Sequence, residues 1–323
     1  MTAPRPTRAG RLLDYLQEMF PPAVILPLTA ANYLGIAFAL DALDAPHGTS
    51  PLRPGGRALA GAASVLLFSL LMRIYDELKD VESDLRLGKA GDPRYKDRAV
   101  VTGRVRVDDI VALRWGVTGL LFAINAAWLV LGRWPPLLAF GATFLVTWLA
   151  FRWFFWPAIS KNLLLAFVTH NPISLVITGY AIVVQASGPH APAINAWAVV
   201  LTIGLWTPIA AWETARKVRT EADETAYDTY SKRLGWRAAA MVPAFFIVCS
   251  IVALAAVARE CGLSWAYPGV LVAAGAVATL ACVRFRFAPT TRNAKLQPFA
   301  ELYIAAANIG LAVALGVTRS VAM

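Results

Sequence analysis

Long apolar runs alternate with short polar clusters along this chain. A membrane-crossing helix needs about 20 mainly apolar residues. That criterion places nine spans at approximately 22–41, 57–75, 109–131, 135–156, 160–184, 194–213, 236–258, 264–284 and 298–318. No interval between them is long enough for a soluble domain, so residues 1–323 are expected to form a single all-α transmembrane domain. The N-terminal "MTAPRPTRAGRLLDYLQEMFPP" is amphipathic and carries arginines. It has no short apolar core followed by a small-residue cleavage site, so the first span is expected to direct insertion itself.

Composition agrees with the pattern. Hydrophobic residues make up 58% and charged residues 15%, against roughly 25% charged in soluble domains. The formal net charge of +10 does not point to nucleic acid, because cytoplasmic loops of membrane proteins collect Lys and Arg. Assigning loops alternately to two sides puts 24 of the 30 basic residues on one side, mainly in the N-terminus and the loops after the second and sixth spans. The chain therefore reads as a multi-pass protein of the cytoplasmic membrane, with its N-terminus cytoplasmic and its C-terminus outside. Cys249, Cys261 and Cys282 have no CxxC spacing and are expected to pack rather than bind metal or pair.

Charge alone does not account for the acids, since nine of twenty fall between Asp76 and Asp109 and five between Glu213 and Asp228. In "RIYDELKDVESD", a helix continuing past Tyr75 would align Asp76, Asp80 and Asp84 at i, i+4, i+8, and Glu77 with Asp80 and Asp84 at i, i+3, i+7. Like charges so placed repel, and a divalent cation would remove that penalty. Magnesium takes hard oxygen ligands and often bridges one or two carboxylates to a substrate phosphate. A solvated loop of mutually neutralising charges is the plainer alternative. In "AWETARKVRTEADETAYDTYSKRLG", Glu213, Lys217 and Glu221 repeat the i, i+4, i+8 layout, with Arg216, Arg219, Lys232 and Arg233 as possible phosphate ligands. A surface Glu–Lys ladder has the same spacing.

These stretches resemble the UbiA superfamily of intramembrane prenyltransferases. "DELKDVESD" is similar to that family's NDxxDxxxD motif, with Asp76 where Asn is usual, and "DRAVVTGRVR" (Asp97–Arg106) is similar to its "NRPLPSGRIS" segment. "WPAISKNLLLAFVTHNPISLVITGY" resembles the entry to the family's fifth helix and places Lys161 at the family lysine, while "DTYSKRLG" resembles the close of the second acidic motif. The resemblance implies a nine-helix bundle around a central cavity capped by cytoplasmic loops. It implies an enzyme in the lipid bilayer that uses Mg2+ to ionise an isoprenyl diphosphate and alkylates a lipophilic or aromatic acceptor, or a terpene cyclase on the same fold that needs no acceptor. Asp76, Asp80, Asp84 and Lys161 are then catalytic. Arg98, Arg104, Arg216 and Lys217 are diphosphate ligands, and Asp76, Glu77, Asp80, Asp84, Glu213 and Glu221 are metal ligands.

Two departures stand out. Lys217 and Glu221 occupy the places of two aspartates in the family's second motif, and a protonated lysine cannot ligate magnesium. Lys217 is expected to supply a fixed cation to the diphosphate, or Glu224 and Asp228, also four apart, to supply the acids in a shifted register. The first span keeps the prolines of "FPPAVILPLTAANYLG" but lacks the preceding cation of many aromatic prenyltransferases. Trp148, Phe151, Trp153, Phe154 and Trp156 either support a carbocation or form an interfacial aromatic belt. His170 and Asn171, polar within the fifth span, either position an acceptor or tie helices together.

Overall fold

A computed structural model describes residues 7–44, 55–92, 95–187, 192–224 and 228–319. Arg5, Arg53 and Arg94, counted among the basic residues above, lie outside the described residues. The described residues form helices joined by turns, with no strand among them. A short helix, α1 (Arg8–Met19), is capped by the Thr7 hydroxyl, which accepts from the Gly10 N–H at 3.2 Å. It buries Tyr15.

The apolar runs become α2 (Pro22–Asp44), α3 (Gly56–Lys89), α4 (Val107–Val130), α5 (Trp134–Phe151), α6 (Leu163–His170) with α7 (Ile173–Gln185), α8 (Ala196–Ala215), α10 (Trp236–Glu260), α11 (Ala266–Phe287) and α12 (Gln297–Arg319). The short α9 (Tyr230–Leu234) precedes α10. All nine expected spans are present among the described residues and are long and apolar enough to cross a membrane. The fifth differs in detail: it breaks at Asn171–Pro172 into α6 and α7, because proline has no N–H for the i→i−4 ladder. The 34 residues of α3 measure about 51 Å at 1.5 Å per residue, well beyond the ~30 Å hydrocarbon core. Its excess length is the acidic stretch.

Spans adjacent in sequence pack side by side, and α12 returns to α2, so the ring closes; α3 on α7 and α12 on α8 fill its middle. Close approaches rely on small residues, as is common when helices pack in lipid. A β-carbon added to Gly61 would sit 2.1 Å from the Tyr33 hydroxyl, so α2 and α3 meet there without room for alanine. Buried Asn125 joins three helices: its amide donates to Ser64 Oγ at 3.1 Å, and its carbonyl accepts from Trp128 Nε1 at 3.1 Å and Tyr180 Oη at 2.7 Å. Large apolar side chains such as Val130, Leu138, Phe245, Val252 and Val317 point outward, as a lipid-facing surface requires. The three cysteines are free, two of them buried, as expected of packing residues.

At the end of α3 that carries the acids, α1 lies against α4. The Asp109 carboxylate binds Arg11 at 2.6 and 2.9 Å, and Arg8 reaches it at 3.3 Å. Arg319, at the other end of the chain, donates to the Ala42 carbonyl near the end of α2. The first and last helices therefore finish on opposite faces of the bundle.

Candidate active site

The helix α3 runs unbroken through Asp76, Glu77, Asp80 and Asp84, so the spacing read from the sequence is realised along one strip of its surface. Each carboxylate has a different setting. Glu77 is buried and accepts from Arg73, one turn earlier, at 3.1 Å. Asp84 is buried and paired with Arg98. Asp76, half exposed, meets the largely buried Lys79 at 3.2 Å, and the same ammonium lies 4.1 Å from the centre of the Trp153 ring. Asp80 is exposed and makes no ion pair with any described residue.

Arg98 reaches Asp84 because the loop after α3 is folded on itself. The Thr102 N–H and hydroxyl donate to the Arg98 carbonyl at 2.9 and 3.0 Å, and the Val105 N–H donates to the Ala99 carbonyl at 3.0 Å. Gly103 takes a positive φ of 76°, which costs glycine little. The loop packs on α3 at Gly88, where an added β-carbon would come 2.5 Å from Val101. Arg104, expected beside the diphosphate, is held by Glu18 of α1 at 3.0 Å and by the Asp97 carbonyl at 3.1 Å. Glu18 also accepts from the Ala99 N–H at 3.1 Å, so it fastens the loop to α1.

The strip fits a hard cation with a phosphate ligand. Carboxylate oxygens on adjacent turns, Asp76 and Asp80, are a donor set of the kind magnesium takes. Two buried donors beside them, the Tyr15 hydroxyl and Arg73 Nε, have no hydrogen-bond partner among the described residues. Burial, together with the Glu77 carboxylate, raises the Tyr15 phenol above its ordinary pKa, so it remains a donor. Orphaned buried donors are costly, and phosphate oxygens would satisfy them. Among the described residues, however, no three metal-ligating side chains converge, so the six acids expected as metal ligands do not form one cluster.

The second acidic segment is built differently from its expected layout. The helix α8 ends at Ala215, so Glu213, Lys217 and Glu221 do not share a helical face. The backbone beyond the end of α8 is held from a distance: the Tyr230 N–H donates to the Lys217 carbonyl at 3.1 Å, and Ser231 Oγ accepts the Arg219 N–H at 2.8 Å. Glu213 takes two cations, Arg216 at 2.5 Å and Lys217 at 2.8 Å. Glu221 lies in a separate 3-10 turn, exposed. Glu224 accepts from the Thr229 hydroxyl at 2.6 Å, while Asp228 binds Arg233 at 3.0 Å. Those two acids are thus engaged separately, and the Asp228 carboxylate raises the Arg233 guanidinium above its ordinary pKa. A doubly paired Glu213 and a remote Glu221 do not fit a second divalent cation.

Between α5 and α6 the chain makes a left-handed turn, with φ of 51°, 52° and 58° at Trp153, Phe154 and Phe155. Side chains with a β-carbon resist this by roughly 1–2 kcal/mol each. The turn sets Trp153 over Lys79 and against His170, ring centres 4.7 Å apart, with Phe154 5.4 Å from the same imidazole. His170 uses both nitrogens, with the Ala150 carbonyl at 3.1 Å and the Thr169 hydroxyl at 2.9 Å. Asn171 Oδ1 accepts from Trp206 Nε1 at 2.7 Å. Both polar residues of the fifth span therefore tie helices. Phe151 stacks on Tyr75 at 4.5 Å, whereas Trp148 and Trp156 are exposed in the manner of a belt. Lys161 is exposed at the end of a 3-10 turn, just before Asn162 caps α6, and makes no ion pair with a described residue.

Sequence spacing did not single out Tyr15, Glu18, Lys79 or Glu301. Glu301 accepts from Trp212 Nε1 at 3.0 Å and Gln297 at 2.7 Å. An acid within an apolar run was the available signal for it.

No protein-family model and no curated protein matches the sequence. Two solved structures match the fold. One is the apo structure of a UbiA homolog from Aeropyrum pernix K1, with a TM-score of 0.60 at 14% identity, covering 89% of this chain and 97% of that one. The other concerns digeranylgeranylglyceryl phosphate synthase, with a TM-score of 0.59 at 12% identity, covering 94% of this chain and 98% of that one.

Proposed function

From this UbiA-type fold and the carboxylate strip at the end of α3, we propose that the protein is an intramembrane prenyltransferase, acting on an isoprenyl diphosphate and a lipophilic or aromatic acceptor. The observation that carries the reading is the set of unsatisfied groups on that strip: exposed, unpaired Asp80 beside the buried, partnerless donors of Tyr15 and Arg73.

Asp76 and Asp80 would hold Mg2+, which, when bound, supplies charge neutralisation for the departing diphosphate. Arg73, Lys79 and Arg98 now rest on Glu77, Asp76 and Asp84, and phosphate oxygens compete for the same N–H groups. The Tyr15 hydroxyl donates to the anion. As the allylic C–O bond breaks, its electron pair leaves with the diphosphate. The isoprenyl chain, held among apolar helices that exclude water, is attacked at the allylic carbon by the acceptor, whose proton then passes to the released diphosphate. Lys217 and Arg216 hold a fixed positive charge at the end of α8 where the family resemblance implies a second metal. The uneven Lys and Arg distribution supports a cytoplasmic diphosphate side.

Incubating purified protein with geranyl, farnesyl or geranylgeranyl diphosphate, with and without a panel of acceptors, tests the proposal. Prenylated acceptor with no product in its absence is the expected result. Cyclic hydrocarbon or terpene alcohol formed without acceptor would instead establish the cyclase reading.

A further inference from the structure

The face opposite the carboxylate strip contains a cavity of about 370 Å3 between the end of α2, the start of α3 and the ends of α4 and α7. Its volume falls within the ~300–1,000 Å3 typical of small-molecule sites. Leu34, Phe38, Trp128 and Leu131 make one wall apolar, and Asp41, Arg57, Arg133 and Gln185 supply the polar groups. Gln185 is 6% exposed, and its buried Oε1 has no hydrogen-bond partner among the described residues. Asp41 lies close enough to interact with the Gln185 amide and with Arg57. Yet none of Asp41, Arg57 and Arg133 closes an ion pair with a described residue. A half-buried carboxylate that closes no ion pair and a buried orphan carbonyl are both costly.

The geometry points to a second ligand site here, for a phosphate-linked primary amine, the chemistry of an ethanolamine phospholipid headgroup. Two acceptors, the Asp41 carboxylate and Gln185 Oε1, match an ammonium, which carries three N–H donors and a positive charge. Two guanidiniums, Arg57 and Arg133, match a phosphate. The apolar wall provides for the base of an acyl chain. Asp41 and the carboxylate strip lie at opposite ends of the bundle, separated by some 20 residues of α3, about 30 Å, so this site is independent of the prenyl diphosphate chemistry.

Calorimetric titration of the full purified chain in detergent tests the site with four probes: dihexanoyl phosphatidylethanolamine, dihexanoyl phosphatidylglycerol, O-phosphoethanolamine and inorganic phosphate. Saturable binding of the ethanolamine lipid is expected, about ten-fold or more tighter than the glycerol lipid or phosphate. Asp41→Asn and Gln185→Met should abolish that preference. Arg133→Gln, at the half-exposed rim, should weaken both lipids and keeps the test informative if the buried variants fail to fold. Much tighter binding of the lipid than of O-phosphoethanolamine assigns the ligand to the bilayer, and equal binding assigns it to a soluble headgroup. Equal affinity for the two lipids, or an ethanolamine preference unchanged in folded Asp41→Asn, would overturn the proposal.

Discussion

Replacing Asn125 with leucine, a residue of similar size, removes the polar joint that fixes α3, and with it the carboxylate strip, to α4 and α7. Asn125 is fully buried and exchanges side-chain hydrogen bonds with Ser64, Trp128 and Tyr180. Interhelical bonds in membranes average ~0.6 kcal/mol, with a ceiling of ~1.7. The two that cross between helices, to Ser64 and Tyr180, give about 1 kcal/mol for Asn125→Leu, and about 3 kcal/mol at the ceiling. Tyr180→Phe alone should cost roughly 1 kcal/mol, because Asn125 Oδ1 keeps Trp128 as a donor. In the Asn125→Leu background the same change removes a hydroxyl that has already lost its Asn125 acceptor and should cost less. Equilibrium unfolding of the four proteins in mixed micelles measures the cycle. A coupling of ~0.6 kcal/mol or more is expected, and additivity within ~0.3 kcal/mol would mean that Asn125 and Tyr180 do not act as one joint.

Lys217→Asp should raise the magnesium dependence of turnover, because an acid then joins Glu213 where a cation now stands; an unchanged magnesium titration would remove Lys217 from the account. Gly61→Ala should destabilise by about 1–3 kcal/mol through overpacking against the Tyr33 ring, read as a lower thermal midpoint. Adding Tyr33→Ala should erase that increment. Lys79→Met takes the cation from both Asp76 and the Trp153 ring, and it should raise KM for the diphosphate about ten-fold or more, with circular dichroism unchanged.

The spans were legible because twenty-residue apolar runs have few alternatives in a helix of 1.5 Å rise, and the strip from Asp76 to Asp84 because α3 simply continues. The second motif was not. "AWETARKVRTEAD" carries a regular helical spacing, but Tyr230 and Ser231, a dozen residues on, take up the backbone at Lys217 and Arg219. Local spacing does not contain that contact. Tyr15, Glu18 and Lys79 were missed for a related reason, since each matters through its neighbourhood on another element: Tyr15 through the charge of Glu77, Glu18 through the Ala99 N–H and Lys79 through the Trp153 ring. Asn125 had a readable signal, an amide in mid-span, but its partners Ser64 and Tyr180 lie on helices that only the closed ring brings together.

Diphosphate release from labelled geranyl, farnesyl and geranylgeranyl diphosphates by the wild type and by Asp80→Asn bears most directly on the proposed function. Asp80 is exposed and unpaired, so its substitution should leave the fold intact while lowering release by about 100-fold or more. Release at the wild-type rate from folded Asp80→Asn would contradict the assignment of the α3 strip as the reaction centre.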